Sequence, residues 1–210
     1  MAELSRLERL VGELKQFYGL LPAPPSDAFA LFVWDTLAFK TTPQKRDLAF
    51  AALKRSHALT PDALAKAAPK TVEDSVKLAG PYFEQRLRAL RTGISVFQRN
   101  PDFPAKLSGP LPVAQEAVSI LPQTHDGGAD RMLLFAGPHR VLPMDVGTAR
   151  VVSRLGYDGA PDAELPHSLD VYRRVSTYLS HHAAATCTDT DPHCHVCPLL
   201  HDCPAGQSTP

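Results

Sequence analysis

The chain has 210 residues, 44% of them hydrophobic, with 22 basic and 22 acidic side chains and a formal net charge of zero. That length and apolar content suit one large domain or two small ones with a real core, and they exclude a wholly disordered chain. The lack of a basic excess argues against a protein that holds nucleic acid by bulk charge alone, and no run approaches the roughly 18 apolar residues of a membrane span.

The opening segment MAELSRLERLVGELKQF is amphipathic and charged, without the continuous apolar core of a secretory signal. A soluble, cytoplasmic protein with reduced thiols is expected. Leu4, Leu7, Leu10, Val11, Leu14 and Phe17 fall at helical spacing over about 3–19. After the break Leu21-Pro22-Ala23-Pro24-Pro25, Ser26 is expected to cap a helix running to about Lys40. Phe29, Leu31, Phe32, Val33, Trp34, Leu37 and Phe39 cover most of its circumference, which predicts a buried central helix. Thr42-Pro43 and Thr60-Pro61 each read as a cap followed by proline at the first helical position. Thr71 and Asp74 mark a short helix ending at Gly80, and Pro81 opens a long one carrying Leu87, Leu90, Ile94 and Phe97.

Residues 100–111 read as a loop, and Pro112 starts a helix through Ile120 that Leu121-Pro122 ends. A turn over Gln123 to Gly128, a short apolar helix from Met132 to Ala136, and a turn at Gly137-Pro138 follow. Asp145 precedes a helix with Val151, Val152 and Leu155, stopped by Gly156, and Ser168 caps another to about His182. No period-two strand pattern of useful length occurs. The predicted class is all-α with short connections. The basic groups Lys40, Lys45, Arg46, Lys54, Arg55 and Arg86, Arg88, Arg91, Arg99 read first as solvated helix faces.

All four cysteines lie between Cys187 and Cys203, with gaps of six, two and five residues around Cys194 and Cys197. Pro192, Pro198 and Pro204 keep this segment from continuing as one helix. Four thiolates on one short loop suit a soft metal centre. Two disulfides fit poorly with a cytoplasmic chain. Zinc and a [4Fe–4S] cluster both accept four thiolates, and His193, His195 or His201 offers zinc a substitute ligand, so ligand chemistry alone leaves the two open.

The spacing Cys187-x6-Cys194-x2-Cys197-x5-Cys203 resembles the cluster loop that closes the chain in the endonuclease III family of DNA glycosylases. The run Asp145-Val-Gly-Thr-Ala-Arg150-Val resembles that family's Asp-Thr-His-x-x-Arg-Val, which carries its catalytic aspartate. Gly109 to Pro122 resembles the lead-in to its helix–hairpin–helix. The resemblance covers nearly the whole chain. It implies two α-helical domains with the substrate cleft between them: a six-helix barrel over 23–138, and a cluster domain joining 1–22 to 139–210. It also implies a [4Fe–4S] cluster on Cys187, Cys194, Cys197 and Cys203, with His193 and His195 as solvated loop residues.

Breaking an N-glycosidic bond builds positive charge on the sugar, and a nearby carboxylate stabilises it or activates a nucleophile. The resemblance gives that role to Asp145, which on position alone reads as an N-cap. Where the family hairpin has Leu-Pro-Gly-x-Gly-x-Lys, this chain has Leu121-Pro122-Gln123-Thr124-His125-Asp126-Gly127. Both hairpin glycines are replaced, Asp126 brings negative charge towards a phosphate site, and Gly127 stands in the catalytic lysine's place, so no Schiff base forms there. The implied function is a monofunctional glycosylase acting as a monomer on double-stranded DNA with a damaged base, with weak or no lyase activity and a nucleoid-associated location. Lys40, Gln123, Thr124, His125 and Gly127 are its candidate DNA contacts. The alternatives are a DNA-binding or damage-sensing iron–sulfur protein without turnover, and a zinc-stabilised helical interaction protein.

Overall fold

Helices account for the regular structure throughout the computed structural model, which describes residues 4–56, 59–122 and 127–208, and no strand forms among them. Two compact units result: Met1–Ala23 with Arg140–Pro210, and Pro24–His139.

Helix α1 (Arg6–Tyr18) starts in a capping box: Ser5 accepts from the Glu8 backbone while the Glu8 carboxylate reaches back to Ser5 N–H. Leu7, Leu10, Val11 and Leu14 are fully buried, whereas Leu4 and Phe17, counted with them by spacing, are about half exposed. Leu4 lies before the first helical residue and Phe17 in the last turn, at the two ends of the stripe.

The second unit begins with α2 (Ala28–Ala38). Its cap is Asp27, not the expected Ser26. The Asp27 carboxylate accepts from Ala30 N–H at 2.8 Å, and the helix stops at Ala38, before Lys40. The predicted burial holds for Phe29, Leu31, Phe32, Val33 and Leu37. Helices α3 (Pro43–Ser56) and α4 (Pro61–Lys66) open as their Thr-Pro pairs predict. Helix α5 (Pro69–Lys77) starts two residues before Thr71 because Pro69, which lacks an N–H, fits the first turn. Helix α6 (Phe83–Arg99) starts two residues after Pro81, because Tyr82 adopts left-handed backbone.

The predicted loop over 100–111 contains a helix, α7 (Phe103–Leu107). Pro104 sits where a first turn tolerates it, and Phe103 and Leu107, one turn apart, are both buried. Helices α8 (Leu111–Ser119) and α9 (Gly128–Phe135) complete this unit. Its core joins Phe29, Phe32, Phe97 and Phe103 through ring contacts of 4.7–6.3 Å between centroids. Gly93 makes that possible: a Cβ there would lie 2.1 Å from the Phe32 ring, so only glycine lets the ring rest on α6.

The first unit resumes with α10 (Val146–Arg154), α11 (Leu169–Ala185) and α12 (Pro204–Gln207). Helix α11 packs against both α1 and α10. Arg6 adds a bidentate pair with Asp202 and a bond to the Leu155 carbonyl, so the N-terminal helix is fastened to the cysteine segment. No helix among the described residues is long and apolar enough to cross a membrane.

Candidate functional site

The cysteine segment grows out of the end of α11. The N–H groups of Thr186 and Cys187 both donate to the His182 carbonyl, which turns the chain out of the helix. Short single-turn helices at Cys194–Val196 and Leu200–Asp202 then fold the loop back, helped by Cys197 N–H donating to the Cys194 carbonyl. Cys203 caps α12, its sulfur accepting from Gly206 N–H at 3.4 Å.

This path brings all four cysteines, as free thiols, around one cavity of about 110 Å³, with Val151, Leu155 and Leu199 as apolar wall. The thiols face a common space and are not paired as disulfides, in line with the poor fit expected for that reading. Among the described residues, no group of three or more His, Cys, Asp and Glu side chains is placed to hold a metal ion. The four thiols bound a volume instead of converging on a point. Four thiols around one cavity are a donor set that suits either a single zinc or an iron–sulfur cluster. His193 and His195 are exposed, as expected of solvated loop residues.

The cavity is supplied with sulfur-directed donors. Arg154 donates to Cys187 Sγ at 3.3 Å and to the Thr188 and Asp189 carbonyls. Arg150 donates to the Cys187 and Ala183 carbonyls. Both arginines rise from α10, so that helix splints the loop. Burial raises the Cys197 thiol above its ordinary pKa, and the neighbouring thiols add to the effect. Burial also pushes the His182 imidazole down to about 4.

Asp145 is the N-cap of the same helix. Its carboxylate accepts from Thr148 N–H at 2.7 Å, and the residue is half-buried. Nine residues of helix rise separate it from Arg154, roughly 13 Å. The carboxylate and the thiol cavity are thus distinct sites on one splint. Sequence reasoning named Asp145 and the cysteines but not Arg154 or His182. A cation about two and a half turns from the carboxylate was the only available signal for Arg154.

In the second unit, Lys40 is exposed in left-handed backbone (φ 45°), with its ammonium 5.1 Å from the Tyr82 ring centre and 5.5 Å from that of Phe39. Tyr82, also left-handed (φ 68°) and 43% exposed, meets Phe39 edge-on at 5.9 Å. Non-glycine residues in this region are uncommon and cost about 1–3 kcal/mol each. Arg86 holds the two turns together. It is completely buried and donates to the carbonyls of Phe39, Gly80 and Pro81, while Thr41 Oγ1 donates to Ala79 O at 2.6 Å. The solvated-face reading holds for Arg88, Arg91 and Arg99 but fails for Arg86. Its signal was present: Arg86, Leu90, Gly93 and Phe97 lie on one stripe at spacings of four, three and four.

Gly127 is the N-cap of α9 and has left-handed backbone (φ 77°). Arg131 anchors that helix to α2 through a 2.7 Å bond to the Asp35 carboxylate. Gln123, Thr124, His125 and Asp126 lie outside the described residues.

No family model matches the sequence, and no curated protein matches it. Solved structures do. An endonuclease III trapped as a covalent intermediate with DNA, in an estranged-adenine complex, aligns with a TM-score of 0.69 at 16% identity, over 99% of this chain and 98% of that one. A non-covalent endonuclease III–DNA complex aligns at 0.69 and 17% identity over the same shares, 99% and 98%. A thermostable thymine-DNA glycosylase aligns at 0.66 and 16% over 97% of each chain. At these identities the likeness establishes the fold: this chain has the all-α architecture of those proteins along its whole length.

Proposed function

We propose that this protein is a DNA glycosylase that hydrolyses the N-glycosidic bond of a damaged base in double-stranded DNA, without an amine nucleophile at residue 127. The observation that carries the reading is four free thiols, in the Cys-x6-Cys-x2-Cys-x5-Cys spacing, around one cavity in a chain sharing the endonuclease III fold throughout. Such an enzyme reaches its target bond by extruding the nucleotide from the stack. Asp145 supplies the carboxylate that stabilises positive charge on the sugar or orients the attacking water. Its hydrogen bond from Thr148 N–H fixes the carboxylate's direction. Lys40, Phe39 and Tyr82 form a cationic aromatic surface of the type that stacks on unpaired bases.

Cys187, Cys194, Cys197 and Cys203 would hold a [4Fe–4S] cluster, which supplies a cross-link for the loop and a one-electron redox couple. Anaerobically purified protein should be brown and carry about four irons and four sulfides per chain. Colourless protein with one stoichiometric zinc would remove the cluster from the reading. Cys197→Ser should lower both iron content and soluble yield, because metal binding and loop folding are coupled.

The deciding assay is a panel of duplexes carrying damaged bases, scored for base release and, separately, for strand scission. Release should leave an intact abasic strand that breaks only on later alkali treatment, and borohydride should trap no covalent complex, because trapping requires an imine. A strong trapped complex lost on Lys40→Ala would make Lys40 a nucleophile and overturn the monofunctional assignment. Converting Gly127 to lysine does not simply restore a lyase, since an L-residue in that left-handed backbone is strained by about 1–2 kcal/mol. The second reading, a DNA-binding protein without turnover, draws on the missing lysine and the zero net charge. It requires duplex binding with no base release on any member of the panel.

A further inference from the structure

A line of hydrogen-bonding side chains enters the thiol cavity from α1 and α11. Thr186 Oγ1 lies 2.6 Å from Tyr18 Oη, and Tyr18 Oη lies 2.8 Å from His182 Nδ1. Across the imidazole, His182 Nε2 lies 3.7 Å from Cys197 Sγ, within hydrogen-bonding range for sulfur. His182 is 2% exposed and Thr186 5%. The His182 backbone carbonyl also receives the N–H groups of Thr186 and Cys187 where the loop leaves the helix. This one residue therefore holds the loop by its main chain and touches one of its sulfurs with its side chain.

The direction of the line follows from counting protons. A free Cys197 thiol can donate its proton to Nε2, leaving Nδ1–H to face the phenol oxygen. A metal-bound thiolate has no proton and can only accept. Nε2 must then carry the hydrogen, Nδ1 must accept from the Tyr18 hydroxyl, and the Thr186 hydroxyl is left to donate to the phenol oxygen. Every polar atom in the line is satisfied in that arrangement.

We propose that His182 is a positioning residue for the metal centre, donating Nε2–H to the Cys197 sulfur in a tautomer held by Tyr18 and Thr186. The inference rests on the Cys₄ iron–sulfur reading given above. A hydrogen bond to a ligand sulfur favours the more negatively charged, reduced state of such a centre and so raises its reduction potential. Arg154 acts on Cys187 in the same sense, from the opposite side of the loop's sequence.

The test uses the full chain. Iron and sulfide content and visible absorption of the unmodified protein come first; absence of the centre there rejects the cluster reading itself, separately from this one. With the centre present, midpoint potentials are measured by protein-film voltammetry for the unmodified protein, His182→Leu, Tyr18→Phe and His195→Leu. His182→Leu should retain iron and shift to a more negative potential. Tyr18→Phe should shift the same way by less, because Nε2–H remains available but its tautomer is no longer held. His195→Leu, an exposed loop histidine, should leave the potential unchanged. An unchanged potential in iron-replete His182→Leu, or an equal shift in His195→Leu, overturns the proposal. If His182→Leu fails to load iron, pulsed EPR of the unmodified protein labelled with ¹⁵N-histidine, its centre reduced by dithionite to the paramagnetic state, decides. Coupling to one histidine nitrogen is expected, and its absence overturns the assignment.

Discussion

Asp145→Asn should lower single-turnover base release by at least about 100-fold, the low end of what a positioned acid–base group contributes, while leaving the melting temperature nearly unchanged. The two effects separate because the helix cap and the proposed catalytic role need different things. As the N-cap of α10 it accepts from Thr148 N–H, and asparagine caps about as well as aspartate. In the proposed catalytic role, beside a sugar that gains positive charge, it needs the carboxylate's charge, which asparagine lacks. Asp145→Ala removes both, so it should lose activity and also about 1 kcal/mol of stability. Base release timed on a damaged duplex, beside a thermal melt of each variant, reads the two roles independently. An asparagine variant that keeps full base release would reduce Asp145 to a helix cap and move the catalytic carboxylate elsewhere.

Arg86→Met should destabilise the protein by roughly 3 kcal/mol, the order expected when buried acceptors lose their shared donor. Methionine fills much of the same volume but leaves the carbonyls of Phe39, Gly80 and Pro81 without their donors. Each buried acceptor left bare costs about 1–3 kcal/mol. Those bonds also hold the backbone at Lys40 and Tyr82 in left-handed conformation, so the loss falls on the aromatic–cationic surface as well as on the core. Arg86→Lys should recover only part of the stability, since an ammonium cannot span the carbonyls with a planar fork. Urea unfolding midpoints measure the first effect, and binding to an abasic duplex at two salt concentrations measures the second. A methionine variant as stable as the unmodified protein would show that the buried guanidinium costs as much to desolvate as its bonds return. If duplex binding were also unchanged, the surface it holds would have no part in DNA contact.

The sequence by itself determined the helical class, because apolar residues at helical spacing and Thr-Pro or Asp caps are local signals. Thr60 and Asp145 cap the helices they were expected to cap. It also determined the metal-ligand candidates, since four cysteines confined to one loop admit few chemistries. It misplaced Ser26 for Asp27, where two capping residues stand side by side and only the folded backbone selects one. It missed α7, because prolines hid a helix that exists through burial of Phe103 and Leu107. Only the tertiary structure decided that the four thiols share one cavity, that arginines of α10 brace it, and that His182 reaches Cys197. Only it separated Arg86 from the other arginines of its helix. Local pattern fixes which face of a helix is apolar, but what covers that face is set by residues distant in the chain. Arg86 bonds Phe39 from 47 positions away, and Tyr18 meets His182 across 164. Such partners carry no periodic signal, and packing alone brings them together.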